Sequence, residues 1–232
     1  MARKQHIIAL TGYAGVGKDT VADLLAEHLG FRKLAFADAL RGEISEGFNI
    51  EIAYLTHPST KNHPMSALAM RKAPLGFLGA VALSVGAEHR TAAGLLSGAW
   101  LDQPRAPRQI LQWWGTEYRR RQHELYWTRI LLARVAALQR DGEDRLVITD
   151  CRFHNEADAI HSCDGVIWQI TRPGIDGGST SEGQHVSAVE MPCLDPAARR
   201  RVTFDYTLFI NDDDLGDPDE SQTWGGDHVH HG

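Results

Sequence analysis

From Gly12 to Lys18 the chain reads Gly-Tyr-Ala-Gly-Val-Gly-Lys, and Asp19 and Thr20 follow. Residues of these types at the spacing G-x-x-x-x-G-K hold the phosphates of a nucleotide. Glycines let successive backbone N–H groups converge on one anion with no Cβ in the way. A helix beginning at the same spot adds partial positive charge. The lysine is a mobile cation that can follow a transferred phosphoryl group. The expected phosphate contacts are therefore Gly12, Tyr13, Ala14, Gly15, Val16, Gly17, Lys18, Asp19 and Thr20. Asp19 stands where Ser or Thr is usual, and Thr20 brings a hydroxyl one place later. The bland alternative is a glycine-rich turn with an exposed lysine. An apolar run before the loop and a helical spacing after it favour the phosphate site.

Asp150 closes a second apolar run, where P-loop enzymes place the acid that holds Mg²⁺. The competing reading makes it an N-cap for the segment that follows. Thr20 and Asp150 are the expected metal ligands, together with phosphate oxygens and water. Phosphoryl transfer is chiefly positioning and charge neutralisation, so arginines should converge on the site. Candidates are Arg41, Arg108, the run Arg119–Arg121, Arg152 and Arg172. Arg152 lies two residues past Asp150 and Arg172 ends another apolar run, which makes these two, with Lys18 and Asp150, the expected catalytic set. Arg108 and Gln112 are four apart and share a helix face. Trp113, Trp114, Tyr118, Tyr126 and Trp127 crowd one stretch and include candidates for stacking on a base. His185, after a Gly/Ser-rich loop, is a further candidate contact.

These residues need a frame that gathers them. Strands are expected at His6–Leu10, Phe31–Phe36, Arg145–Thr149, Gly165–Thr171 and Tyr206–Ile210, and helices at Asp19–Leu29, Asp38–Phe48, Arg108–Trp114, Leu125–Leu138, Asn155–Ile160 and Val186–Arg200. Short apolar strands interleaved with helices imply an α/β fold: three layers, α/β/α, around a mostly parallel five-stranded sheet. Residues 49–104, rich in Ala, Gly, His and Pro, read as an insertion of short helices and loops within a single domain spanning 1–210. The core would then be 1–48 and 105–210.

Composition narrows the function classes. The chain has 232 residues, 43% hydrophobic and 23% charged, with a formal net charge of −6. From Asn211 to Gly232 there are seven acids and no Lys or Arg, so that stretch reads as an acidic flexible tail and the rest is near neutral. No global charge argues for stable nucleic-acid or membrane binding. The longest uncharged run, 15 residues between Lys72 and Glu88, is short of the roughly 20 that cross a bilayer. Cys151, Cys163 and Cys193 fit neither a disulfide framework nor a zinc site. A cytoplasmic setting is expected.

Four segments together form a pattern: LTGYAGVGKDTVADLL (10–25), FADALR (36–41), PRQILQWWGTEYRR (107–120) and ITDCRFHNEADAI (148–160). The chain resembles the deoxynucleoside monophosphate kinases of tailed phages, a branch of the P-loop NMP kinases. A weaker echo is QHVSAVE with FDYTLFIND (184–190 and 204–212). The resemblance implies transfer of the γ-phosphate of ATP to a deoxynucleoside monophosphate (dNMP), with Mg²⁺, in the host cytoplasm if phage-encoded. Carried over by position, it starts the acceptor site at Asp38 and Arg41, lines it with Arg108, Gln112, Trp113, Gly115 and Thr116, and sets Asn155 and Glu156 with Asp150 and Arg152 at the border of both phosphates; Arg120 and His185 are further expected substrate contacts. A mobile lid is implied at 174–184 or 117–123. Ala188 departs from the pattern where an acid is expected, and 49–104 has no counterpart. Rival readings are a P-loop kinase for another acceptor (a modified base in phage DNA, dephospho-coenzyme A, a mevalonate phosphate) and a non-catalytic nucleotide-binding module. Base specificity and homodimer formation are left open.

Overall fold

The computed structural model describes residues 6–57, 59–84, 89–91, 96–173, 175 and 200–203. In chain order these form β1 (His6–Thr11), α1 (Lys18–Leu29), β2 (Arg32–Leu34), α2 (Phe36–Phe48), α3 (Ala53–Thr56), 3₁₀ turns at Ser66–Leu68 and Met70–Lys72, α4 (Leu75–Ala82), α5 (Gly98–Asp102) and α6 (Pro107–Gln112). A π-helix (Trp113–Arg120), α7 (Tyr126–Arg140), β3 (Arg145–Ile148), α8 (His154–His161), β4 (Val166–Thr171) and β5 (Arg200–Thr203) follow.

Two compact units result. One takes the chain up to Phe36 and from Leu131 onward; the other is Ala37–Ile130. The second is wider than the 49–104 insertion expected from composition. The reason is aromatic: Phe48 of α2, Phe77 of α4, and Trp114 and Tyr118 of the π-helix pack as one ring cluster, with centroid separations of 4.6–6.2 Å. Those helices are held to one another and not only to the segment between them. Residues 49–104 do supply short helices and turns where they are described.

The first unit is built on a parallel sheet in the order β2-β3-β1-β4-β5. Four strands fall where the sequence places them, and β2 is shorter, because Phe36 already opens α2. The other strand is Arg200–Thr203, so Arg200 begins a strand instead of ending a helix. The expected strand Tyr206–Ile210, the rest of the expected helix 186–200 and the acidic tail 211–232 lie outside the described residues. Alternation along β1 separates two faces. Ile8 and Leu10 pack with Val21, Ala22 and Leu25 of α1. Ile7 points the other way: a Cβ on Gly165 would stand 3.1 Å from its Cγ2 and 2.6 Å from the Ile160 Cγ2 of α8. Helices thus cover both faces of β1, as parallel sheets require. Among the described residues no helix is long and apolar enough to cross a membrane.

Candidate active site

Because the strands are parallel, their carboxyl ends share one edge. There β1 and β3 are neighbours whose onward connections diverge, to β2 on one side and to β4 on the other. Ligands of open α/β sheets bind at such a divergence. The glycine-rich loop leaves β1 at this point. Gly12 has φ 142°, and a Cβ on it would stand 2.4 Å from the carbonyl oxygen of Ile170. No side chain fits there, so the loop lies against the end of β4. Gly17, at φ 104°, turns the backbone into α1. Val16 is buried beneath the loop among Leu10, Val21 and Trp168. Ala14, Gly15, Asp19 and Thr20 are exposed. Lys18 Nζ donates to the carbonyl oxygens of Gly12 and Tyr13 at 2.6 and 2.8 Å, which draws the cation back over the loop.

The end of β3 joins this loop through the Cys151 N–H, which donates to the Leu10 carbonyl at 3.1 Å. Asp150 Oδ1 accepts from Phe36 N at 2.7 Å. The acid therefore caps the start of α2. Cys151 is buried, and burial, with the Glu156 and Asp150 carboxylates, raises its thiol well above the ordinary 9.0. Arg152 is exposed two residues past Asp150. Glu156, expected beside the substrate, is 2% exposed, and its Oε2 accepts from the N–H groups of Arg152 and Phe153. It shapes the turn that presents Arg152. Asn155 is half-buried on the first turn of α8. Arg172, exposed just past β4, holds the chain's turn through its carbonyl, which accepts from Ile175 N at 3.1 Å. Lys18, Asp150, Arg152 and Arg172 thus all sit on the carboxyl edge of one sheet.

The other expected contacts lie in the second unit. Asp38 and Arg41 pair with each other at 3.0 Å across one turn of α2. Arg108 Nε donates to Asn62 Oδ1 at 2.8 Å. Gln112, Trp113, Thr116 and Arg120 are half-buried along α6 and the π-helix. Gly115 is buried, and its carbonyl accepts from the Trp127 indole at 3.2 Å. Trp114 is core, 3% exposed within the ring cluster, whereas its neighbour Trp113 is half-buried. His185 and the expected lid 174–184, save Ile175, lie outside the described residues.

Glu43 was not foreseen from the sequence. Its Oε2 accepts from Trp114 Nε1 and Arg119 Nε, each at 2.7 Å, and its Oε1 from the Tyr126 hydroxyl at 2.5 Å. The Arg119 guanidinium also lies over the rings of Tyr118 and Tyr126. Burial, then the Glu43 carboxylate, raises the Tyr126 phenol above its ordinary 10.0. Trp114 and Arg119 are five residues apart. In an α-helix, neighbours on one face are three or four apart. The i→i+5 register of a π-helix brings the two donors to one carboxylate.

Compared with known proteins, the chain is 28% identical over 202 residues to a protein of Acanthamoeba polyphaga mimivirus described as "Putative deoxynucleotide monophosphate kinase". The match covers 80% of this chain and 81% of that one. No protein-family model matches the chain. Among solved structures, a sugar kinase from Janibacter sp. aligns over 88% of this chain and 86% of its own, at 14% identity and a TM-score of 0.38. That likeness is too slight to bear on fold or activity.

Proposed function

We propose that this chain is an ATP-dependent phosphotransferase that moves the γ-phosphate of ATP to a deoxynucleoside monophosphate, giving ADP and a deoxynucleoside diphosphate. The observation that carries the reading is the Gly12–Lys18 loop. It joins a buried strand to a helix at the divergence of β1 and β3, with Asp150 beside it. The likeness to the viral protein named as a deoxynucleotide monophosphate kinase supports the choice of acceptor.

In this reading ATP draws Lys18 Nζ off the Gly12 and Tyr13 carbonyls and onto its outer phosphates. The acceptor phosphate oxygen forms the new P–O bond in line as the bond to ADP breaks. That oxygen is already anionic, so no strong general base is needed. Arg152 and Arg172 neutralise charge on the transferred group. Among the described residues no group of three His, Cys, Asp or Glu could hold a metal ion by itself. The donors present, Asp150 and Thr20, are hard oxygens that suit an ion bringing its own phosphate and water ligands, as Mg²⁺ does with ATP. Bound there, Mg²⁺ would supply positive charge to the phosphate oxygens.

The test is ADP release with ATP and Mg²⁺ across dAMP, dGMP, dCMP, dTMP, modified dUMPs and the ribonucleotides. Turnover with one or a few deoxynucleotides is the expected result. ADP release that ignores every nucleotide, or none at all, would overturn it.

A further inference from the structure

Arg105 belongs to no motif, yet the fold gives its charge an unusual setting in the second unit. The residue is 5% exposed. Its backbone is locked by hydrogen bonds to and from Met65. Its guanidinium carbon lies 4.9 Å from the ring centroid of Trp100 and 5.6 Å from that of Trp113. Nη2 donates to the Trp100 carbonyl at 3.0 Å and Nη1 to Gln103 Oε1 at 2.5 Å. Nε is buried and has no hydrogen-bond partner. No carboxylate among the described residues pairs with the cation, and burial alone pulls its pKa below the ordinary value.

A buried charge without a counterion destabilises a fold, and the faces of two tryptophans recover only part of that cost. A ligand that brings the negative charge would offset the rest. The planar fork of a guanidinium matches a phosphate group in particular. One end of the fork is covered by the exposed Gln103, whose neutral amide oxygen stands where a phosphate oxygen would sit. Trp113, half-buried, presents a ring beside the charge. We propose that Arg105 is the anion-recognising residue of a nucleoside monophosphate subsite, taking the phosphate group as Gln103 swings aside, with Trp113 as the flat face next to it. The choice of a nucleotide as ligand rests on the kinase reading; the need for an anion does not.

The test uses the full chain, its melting temperature, and the shift in that temperature produced by each dNMP and by inorganic phosphate. Two variants bracket the claim. Arg105→Met removes the unpaired charge. It should melt at or above the wild-type temperature and lose the dNMP shift. Gln103→Glu tethers a carboxylate to the cation. It should also melt higher, and bind the acceptor ~30-fold or more weakly by competing for the same donors. ATP should shift all three proteins alike. Gln103→Glu keeps the test decisive if Arg105→Met fails to fold. A folded variant with an unchanged dNMP shift overturns the proposal, as does a wild type that no dNMP shifts. A shift with inorganic phosphate alone overturns the nucleotide assignment. Turnover of dNMPs with an unchanged acceptor KM in Gln103→Glu overturns the subsite and leaves the kinase reading standing. Arg105-dependent dNMP shifts without any turnover do the reverse.

Discussion

Lys18 rests on the carbonyls of Gly12 and Tyr13, contacts that a nucleotide's phosphates would replace. Those contacts are made by one half-buried side chain to two backbone carbonyls, so losing them costs the fold little. Lys18→Met should therefore melt within a few degrees of the wild type. It should lose about 10²-fold or more in kcat, since neutralising the transferred group is the larger part of such catalysis. Near-normal kcat in a folded Lys18→Met would remove Lys18 from the mechanism. Gly12 carries the opposite balance. Its φ of 142° and the 2.4 Å approach to the Ile170 carbonyl mean that Gly12→Ala must displace β4 or the loop. A loss of ~2 kcal/mol or more is expected from backbone strain alone, read by denaturant titration. Cys151 gives the pH signature of this edge. Its thiol is held protonated in the fold, so the unfolded chain ionises first as pH rises past 9.0. The stability it contributes is complete below that value and is lost as pH climbs toward the folded-state pKa. Cys151→Ala should flatten the alkaline decline in melting temperature. An unchanged alkaline limb would show that the thiol is not its source.

At the scale of elements, what was legible depended on the kind of signal. The strand–loop–helix of residues 6–29 was legible because an apolar run, convergent glycines and a 3.6-residue spacing agree with one another. Asp150 was singled out because it closes an apolar run, where a phosphate-binding loop calls for an acid. The π-helix was not legible, since the spacing from Arg108 through Trp114 reads as an ordinary α-helix. Its register is set by Glu43, 71 residues before Trp114 along the chain, and only tertiary contact shows that Trp114 and Arg119 share one carboxylate. Arg105 escaped for a related reason: two rings from separate helices make its environment. Glu43→Ala tests the π-helix directly. It leaves the buried Trp114 indole and the Arg119 guanidinium without their acceptor, a loss of about 2–4 kcal/mol. In a chain of this size that lowers the melting temperature by about 4–15 °C. Glu43→Gln keeps acceptor capacity at one oxygen and should fall between. Equal melting temperatures for all three proteins would show that this carboxylate does not hold the segment.

At the scale of the whole molecule, charge decides between a free nucleotide and a nucleotide within a polymer. A chain that acts on DNA must neutralise several phosphates at once, and its affinity then falls with salt, with a log–log slope of about −0.9 for each phosphate contacted. This protein has a formal net charge of −6 and a sequence pI of about 6.0. Its basic groups are, moreover, often spent internally. Arg32 pairs with Glu143, Lys33 with Asp23, Arg71 with Asp102 and Arg119 with Glu43. Cations held in such pairs are less available to track a phosphate backbone. A single mobile phosphate needs only a few cations. Oligonucleotide binding, followed by fluorescence anisotropy from about 50 to about 200 mM salt, should accordingly be weak throughout. Acceptor KM for a dNMP should change by only a few-fold over the same range, because one phosphate is involved. Tight, steeply salt-dependent binding of an oligonucleotide would place the acceptor in a polymer and displace the free dNMP. Weak binding with turnover of the free nucleotide would leave the polymer reading without support.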